Sequence, residues 1–262
     1  FMKNIKNDKI YPHKDSENYI SLLTIDREKS LNSINISVIN ELIDILNSLK
    51  DDRCSKAVIV TGSGNKAFIA GADIKLMSEM NPDQAYEYSL SGHLLCDMIS
   101  NFNKPIIAAI NGYALGGGCE IALSCHMRYA SSNAVFAQPE VSLGIIAGWG
   151  GTQRLTKTVG PTKAFEMLIL GNRISAQEAL EIGLINDVFE DELIENIVKK
   201  IIPLFNNSSN AVYNTINSIN NFYNMKESDA LKKEQVYFKE SFEHEDSKIG
   251  LSAFIDRKKP KF

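Results

Sequence analysis

The chain has 262 residues, 44% of them hydrophobic and 23% charged, which suits a soluble globular protein with ample length for a core. A formal net charge of −4 gives no general attraction to nucleic acid or anionic membranes, so neither is expected as a partner. No apolar run is long enough to span a bilayer, the start has no signal-peptide core, and Phe1 reads as an addition ahead of a natural start at Met2. The four cysteines, Cys54, Cys96, Cys119 and Cys125, have neither zinc-finger nor CxxC spacing. Reduced thiols in a cytoplasmic compartment are therefore expected, or in a mitochondrial matrix if the source is eukaryotic and a presequence has been removed.

In chain order, residues 19–25 combine alternation with a β-rich composition and predict a strand. Ile36, Val38, Ile39, Leu42, Ile43, Ile45, Leu46 and Leu49 then recur at helical spacing. Residues 57–61 and 105–110 are short apolar runs closed by Gly62-Ser63-Gly64 and by Asn111-Gly112, so both predict buried strands. Strand, helix, strand, helix, strand argues for a layered α/β core with right-handed crossovers. After Gly151 the spacing predicts helices at 151–159, 162–170, 176–182, 190–205, 211–223 and 228–243, with one strand at 184–189. Ser175 and Glu178 match a capping box, and the polar tract 206–210 reads as a solvated connection. No linker separates this helical region from the rest, so it belongs to the same unit.

Two carboxylates stand out. Glu120 ends the phrase Gly116-Gly117-Gly118-Cys119-Glu120, and Glu140 ends Phe136-Ala137-Gln138-Pro139-Glu140. Both lie in core-like sequence, where a charge is costly unless it is paired or used. Two carboxylates converging on one site are a common device for moving protons. The triple glycine either turns a strand tightly into the apolar helix at 121–124 or presents backbone N–H groups to a developing negative charge. It matches neither a Walker motif nor a dinucleotide fingerprint. Residues 62–75 form a second small-residue loop, which either connects strand to helix with Asp73 as cap or lies against a ligand. Trp149, the only tryptophan, sits between Gly148 and Gly150-Gly151 as a pocket wall or as core. His13, His93 and His244 show no triad or metal spacing, and Arg257-Lys258-Lys259-Pro260-Lys261 reads as a solvated basic tail.

The segments 67–75, 104–120 and 136–155 resemble the signature of the enoyl-CoA hydratase (crotonase) family, short-chain type. The similarity continues through Arg173-Ile174-Ser175-Ala176-Gln177-Glu178-Ala179 to Gly250-Leu251-Ser252-Ala253-Phe254. It implies an α/β fold, the crotonase (ClpP-like) spiral of ββα units, with a core over 1–200 and a helical C-terminal trimerisation region over 201–262. It implies a homotrimer or a homohexamer built as a dimer of trimers. It also implies an acyl-CoA substrate and a hydro-lyase of fatty acid β-oxidation type. No separate cofactor is expected, since coenzyme A is part of the substrate, and no metal ligands are expected.

Carried over by motif position, Ala72 and Gly117 would supply the oxyanion-hole N–H groups. Ala70, Ala72, Asp73, Ile74, Lys75 and Gly117 would line the CoA and substrate site. Glu120 would activate water, Glu140 would deliver a proton, Gln138 would orient Glu140, and Gly148 would help position the water. The family also includes enoyl-CoA isomerases, hydratases of branched or carboxylated acyl groups, and RNA-binding relatives. Retention of both glutamates favours hydration. Three positions depart from the family pattern. Ala147 replaces a usual proline, and Trp149 replaces alanine or phenylalanine and would floor a short acyl pocket. His126 replaces aspartate as a structural change.

Overall fold

Four times along the chain a strand joins one sheet, the next extended piece joins a second, and a helix returns the polypeptide. The computed structural model describes residues 4–14 and 16–262, with the backbone alone for Tyr223. Phe1 and Met2, read above as an addition and a natural start, lie outside the described residues. Strand β1 (Ile5–Ile10) pairs antiparallel with β2 (Tyr19–Ile25), and α1 (Ile36–Lys50) follows. The next unit is β3 (Ser55–Gly62), β4 (Ala67–Ile69), α2 (Ile74–Met77) and α3 (Pro82–Ser100). Then come β5 (Ile106–Ile110), β6 (Tyr113–Leu115) and α4 (Gly117–Ser124), and after them β7 (Met127–Ser131), β8 (Val135–Ala137) and α5 (Gly151–Val159).

The strands β2, β3, β5 and β7 are parallel neighbours in a six-stranded sheet ordered β1-β2-β3-β5-β7-β10, where β10 is Asp187–Phe189. The strands β4, β6 and β8 are parallel neighbours in a four-stranded sheet that ends in β9 (Ile174–Ser175). In the first unit a single parallel bridge between Ile34 and Ala72 takes the place of the second strand. This is the spiral of ββα turns that the resemblance implied.

Alternation explains why these strands read as unbroken apolar runs. Val58, Val60, Ile106, Ala108 and Ile110 face the core beneath α1 and α3. Ala57, Ile59, Ile107 and Ala109 face the opposite layer, where α8 (Leu193–Ile201) brings Ile197 and Ile201. A parallel sheet covered on both faces needs apolar residues at every position. Each fully buried Ile or Val contributes about 1.5–3 kcal/mol.

The remaining helices are α6 (Pro161–Leu170), α7 (Ala176–Glu181), α9 (Ser209–Asn224), α10 (Glu227–Glu243) and α11 (Glu245–Ile255). Three local expectations need correction. The helix predicted at 121–124 begins at Gly117, so two of the three glycines are helical. Ser175 caps α7 by accepting from Glu178 N, but the Glu178 carboxylate pairs with Lys163 at 2.7 Å, so only the cap half of the capping box is made through that route. The tract 206–210 is not simply solvated: Ser208 is buried, caps α9 and donates to Asp246 Oδ2 at 2.5 Å.

Candidate active site

Glu120 sits on the first turn of α4, with 2% of its surface exposed. Gly116 links β6 to this helix with φ 49° and ψ −121°, a conformation that L side chains rarely adopt. The N–H groups of the first helical turn have no intrahelical partners, and the positive end of the helix dipole lies there. Glu120 Oε1 accepts from Trp149 N at 2.7 Å and Gly151 N at 2.6 Å. Burial raises its pKa, while these two N–H groups and the charge of Arg154 oppose the rise.

Glu140 opens a 3-10 turn (Glu140–Leu143) just after β8 and is 9% exposed. Its carboxylate packs on the same turn that carries Glu120: a Cβ at Gly116 would lie 2.6 Å from Glu140 Oε1. With its amide nitrogen turned to Glu140, as the hydrogen bonding requires, Gln138 donates to both carboxylate oxygens at 3.1 and 3.2 Å. Burial pushes the Glu140 pKa up to about 7, its own backbone N–H opposes this, and the charge of Glu120 adds to it. The two carboxyls therefore differ in kind. One is held by two backbone donors beside a cation, and the other keeps its proton near neutrality. A pair with such separated demands can serve as base and acid in one turnover.

The segment after β4 is held by a backbone pairing of definite sense. Ile34 N donates to Gly71 O and Asp73 N donates to Ile34 O, both at 2.9 Å. In a parallel bridge of this kind the N–H of the intervening residue, Ala72, points away from Ile34. The loop also abuts the end of β6, since a Cβ at Gly71 would lie 3.2 Å from Leu115 O. Ala72 and Gly117 thus belong to adjacent segments at the same end of the small sheet. Asp73 caps α2 through Leu76 N at 3.4 Å and pairs with Arg27 at 3.5 Å, so its carboxylate serves the loop itself. Ala70 is half-buried, whereas Ile74 and Lys75 are exposed on α2.

Trp149 is part of the buried core. It is 3% exposed, meets the Tyr88 ring edge-on at 5.4 Å, and fills the space that a Cβ at Gly117 or Gly92 would need. Gly148 accepts from Ser89 Oγ at 2.6 Å, while the donors on Glu120 come from its neighbours Trp149 and Gly151. Ala147 is buried and lines, with Glu140, Ile146, Thr152, Phe165 and Ile169, a largely apolar cavity of about 350 Å³. A larger cavity of about 550 Å³, lined in part by His93, His126 and Asn220, includes neither glutamate.

His126 Nδ1 accepts from Ile106 N at 2.9 Å, which places its proton on Nε2, facing Ser100 O at 3.1 Å. Burial lowers its pKa to about 4, so it is a neutral pin between β5 and α3. His244 caps α11 by accepting from Asp246 N at 3.3 Å. The thiols of Cys96, Cys119 and Cys125 are each pushed up to about 12 by burial and stay protonated. Sequence reasoning missed Gly151 and Arg154 as neighbours of Glu120. Arg154 reads as an ordinary helical arginine, and a backbone donor has no sequence signature.

A sequence profile described as Enoyl-CoA hydratase/isomerase matches residues 15–262. The chain is 42% identical to the short-chain-enoyl-CoA hydratase of Clostridium acetobutylicum, over 94% of either chain. It is 39% identical to the crotonyl-CoA hydratase of Syntrophomonas wolfei, over 95% of this chain and 96% of that one. Its fold superposes on the crystal structure of an enoyl-CoA hydratase from Bacillus anthracis with a TM-score of 0.93, at 34% identity over 99% of each chain. Fold and profile together place it among the crotonase-fold enzymes. The chain belongs to the enoyl-CoA hydratase/isomerase family.

Proposed function

We propose that this protein is an enoyl-CoA hydratase that adds water, syn and reversibly, to short-chain 2-trans-enoyl-CoA to give the 3-hydroxyacyl-CoA. It is a hydro-lyase. The observation that carries this reading is the pair Glu120 and Glu140, two buried carboxyls near enough for the charge of one to act on the other, with Glu120 held by two backbone donors beside Arg154 and Glu140 raised to about 7. Glu120, ionised, takes a proton from the water that attacks Cβ. Glu140, neutral, gives its proton to Cα. As the bond forms, negative charge moves to the thioester oxygen, where the N–H groups of Ala72 and Gly117 receive it. Because fixed backbone dipoles carry that charge, the chemistry calls on no metal or redox cofactor. Coenzyme A arrives as part of the substrate, with Ala70, Ile74 and Lys75 along its path and the Lys75 ammonium suited to a phosphate. Asp73 supports that loop through its cap.

The test follows loss of the conjugated-thioester absorbance of crotonyl-CoA, with Glu140→Gln alongside. Rapid loss that the substitution abolishes is the expected result. No loss with CoA still bound would move the reading to an isomerase or to a branched or carboxylated acyl group. No loss and no binding would favour a non-catalytic relative.

Trp149 floors the acyl pocket and favours short chains, as its contact with Gly117 supports. Trp149→Ala is expected to raise kcat/KM for octenoyl-CoA relative to crotonyl-CoA by about 10-fold or more. It should also lower stability by about 3–5 kcal/mol, so the assay belongs well below the unfolding temperature. An unchanged chain-length profile would remove Trp149 from this role.

The helical region 201–262 serves assembly. Phe222, Phe238 and Phe254 are 76%, 68% and 83% exposed, and apolar side chains on that scale ask for a covering surface. Sedimentation equilibrium is expected to give a homotrimer or a dimer of trimers, and a monomer at micromolar concentration would overturn this. Among the described residues no helix is long and apolar enough to cross a membrane. Free cysteines and an acidic balance favour a cytoplasmic location without nucleic acid as partner.

A further inference from the structure

Backbone N–H groups hold Glu120, and a side chain holds that backbone. Arg154, on α5, reaches back to the turn that precedes its own helix. Its Nη1 donates to Trp149 O at 2.8 Å, and its Nη2 donates to Asp97 Oδ1 of α3 at 2.6 Å. Residue Trp149 is therefore held at both ends: its carbonyl by the guanidinium, its N–H by Glu120. The approach is close, since Arg154 Nη1 occupies the space that a Cβ at Gly150 would need. Helix α3 grips the same turn again through Ser89 Oγ on Gly148 O and through the Tyr88 ring on Trp149.

We propose that Arg154, anchored on Asp97, is a positioning residue that holds the Trp149–Gly151 turn so that both N–H groups stay on Glu120 Oε1. The planar fork of arginine makes the two bonds at once, to a carbonyl and to a carboxylate, which an ammonium cannot copy. The Arg154 side chain is 19% exposed, so its charge is only partly screened and also favours the ionised form of Glu120. Other groups act on the same carboxylate. Glu140 lies near it and is neutral in the reacting form, the Cys96 and Cys119 thiols are neutral, and the Asp97 charge is paired with Arg154 itself. The inference rests on the reading of Glu120 as the base.

The test compares Arg154→Met, Arg154→Lys, Asp97→Ala and Glu120→Gln with crotonyl-CoA as substrate. Misplacement of a catalytic group can cost up to about 10²-fold, so Arg154→Met is expected to lower kcat by about 10- to 100-fold with KM within about threefold. The acid limb of its kcat/KM profile should move to higher pH, because Glu120 loses a favourable charge. Arg154→Lys should recover part of kcat and keep the limb near its original place. Asp97 is 62% exposed, so Asp97→Ala tests the anchor with the core intact, and a severalfold fall in kcat is expected. A limb that stays put in Arg154→Met, with any lost activity matched by lost folded protein, would make Arg154 merely structural and overturn the proposal. Normal kcat in both Arg154→Met and Asp97→Ala, beside an inactive Glu120→Gln, would overturn it and leave the function standing. An active Glu120→Gln would instead remove the base, and this inference with it.

Discussion

Glu120→Gln and Glu140→Gln are each expected to lower kcat for crotonyl-CoA hydration by about 10²–10⁴-fold, the usual contribution of positioned acid–base catalysis. CoA affinity should hardly change. The geometry makes Glu120→Gln a clean variant, since the new amide oxygen can still accept from Trp149 N and Gly151 N. What it lacks is basicity. Glu140→Gln removes the proton donor while keeping the side chain's shape against Gly116. For the unsubstituted protein, hydration should fall as pH rises through about 7, where Glu140 loses its proton, and Glu140→Gln should lack this limb. Turnover near the original level in either variant would void the role assigned to that residue.

The same carboxyl should leave a mark on stability. Its pKa is raised from 4.5 unfolded to about 7 folded, so between these values the native state binds the extra proton. Stability from this group is then complete below about pH 4.5 and is lost as pH rises through about 7, by about 3 kcal/mol. Glu140→Gln, neutral throughout, should therefore be more stable than the parent at pH 8 and equal to it at pH 4. A difference in unfolding free energy that does not vary with pH would contradict the protonation state on which the acid role depends. The fold thus favours the protonated form of Glu140, the form that is armed to donate.

Replacing a single peptide N–H by an ester oxygen is expected to cost nearly as much as losing a carboxylate. With a lactate unit at Ala72 or a glycolate unit at Gly117, introduced as α-hydroxy acids, kcat should fall about 10²–10³-fold, equivalent to about 2.7–4 kcal/mol of lost transition-state stabilisation. Neither exchange alters a side chain. Ala72 N points away from its bridge partner Ile34, and Gly117 is the first residue of α4, so neither N–H is needed for the local backbone structure. The loss should appear in kcat far more than in KM, because the oxygen carries full charge only in the transition state. Normal turnover from either ester would take that N–H out of the site. A lowered unfolding temperature with normal kcat would show that it serves the fold instead.

The ladder of β2, β3 and β5 was legible because parallel strands covered on both faces must be apolar throughout. Strand β1 was not. Its sequence Ile-Lys-Asn-Asp-Lys-Ile has four polar residues between two apolar ends, and it is a strand because β2 offers it an edge. The three-residue strands β4 and β6 are too short to show a period. Helix α4 was placed too late because glycine carries no helix signal, although the first turn has to begin there for Glu120 to meet the Trp149–Gly151 donors. Of the proposed site residues, Glu120, Glu140 and Gln138 were read from their chemistry and from the motif, whereas Ala72 and Gly117 were named as donors by the resemblance alone. Asp73 was read both as a helix cap and with the ligand contacts, and its bond to Leu76 N makes the cap.

By itself the sequence determined which groups are available and in what order: two glutamates behind glycine- and proline-marked turns, small residues where backbone must come close, and strands that pair in parallel. Only the tertiary structure decided which of those groups meet and in what state. Glu120 finds its donors 29 and 31 residues away, on backbone N–H groups that carry no side-chain signature. Glu140 keeps a proton near pH 7 because the fold removes it from water and sets it near another carboxylate. A side chain's identity is local, but its desolvation and its neighbours' charges are sums over groups brought together from the whole chain, and those sums set the chemistry.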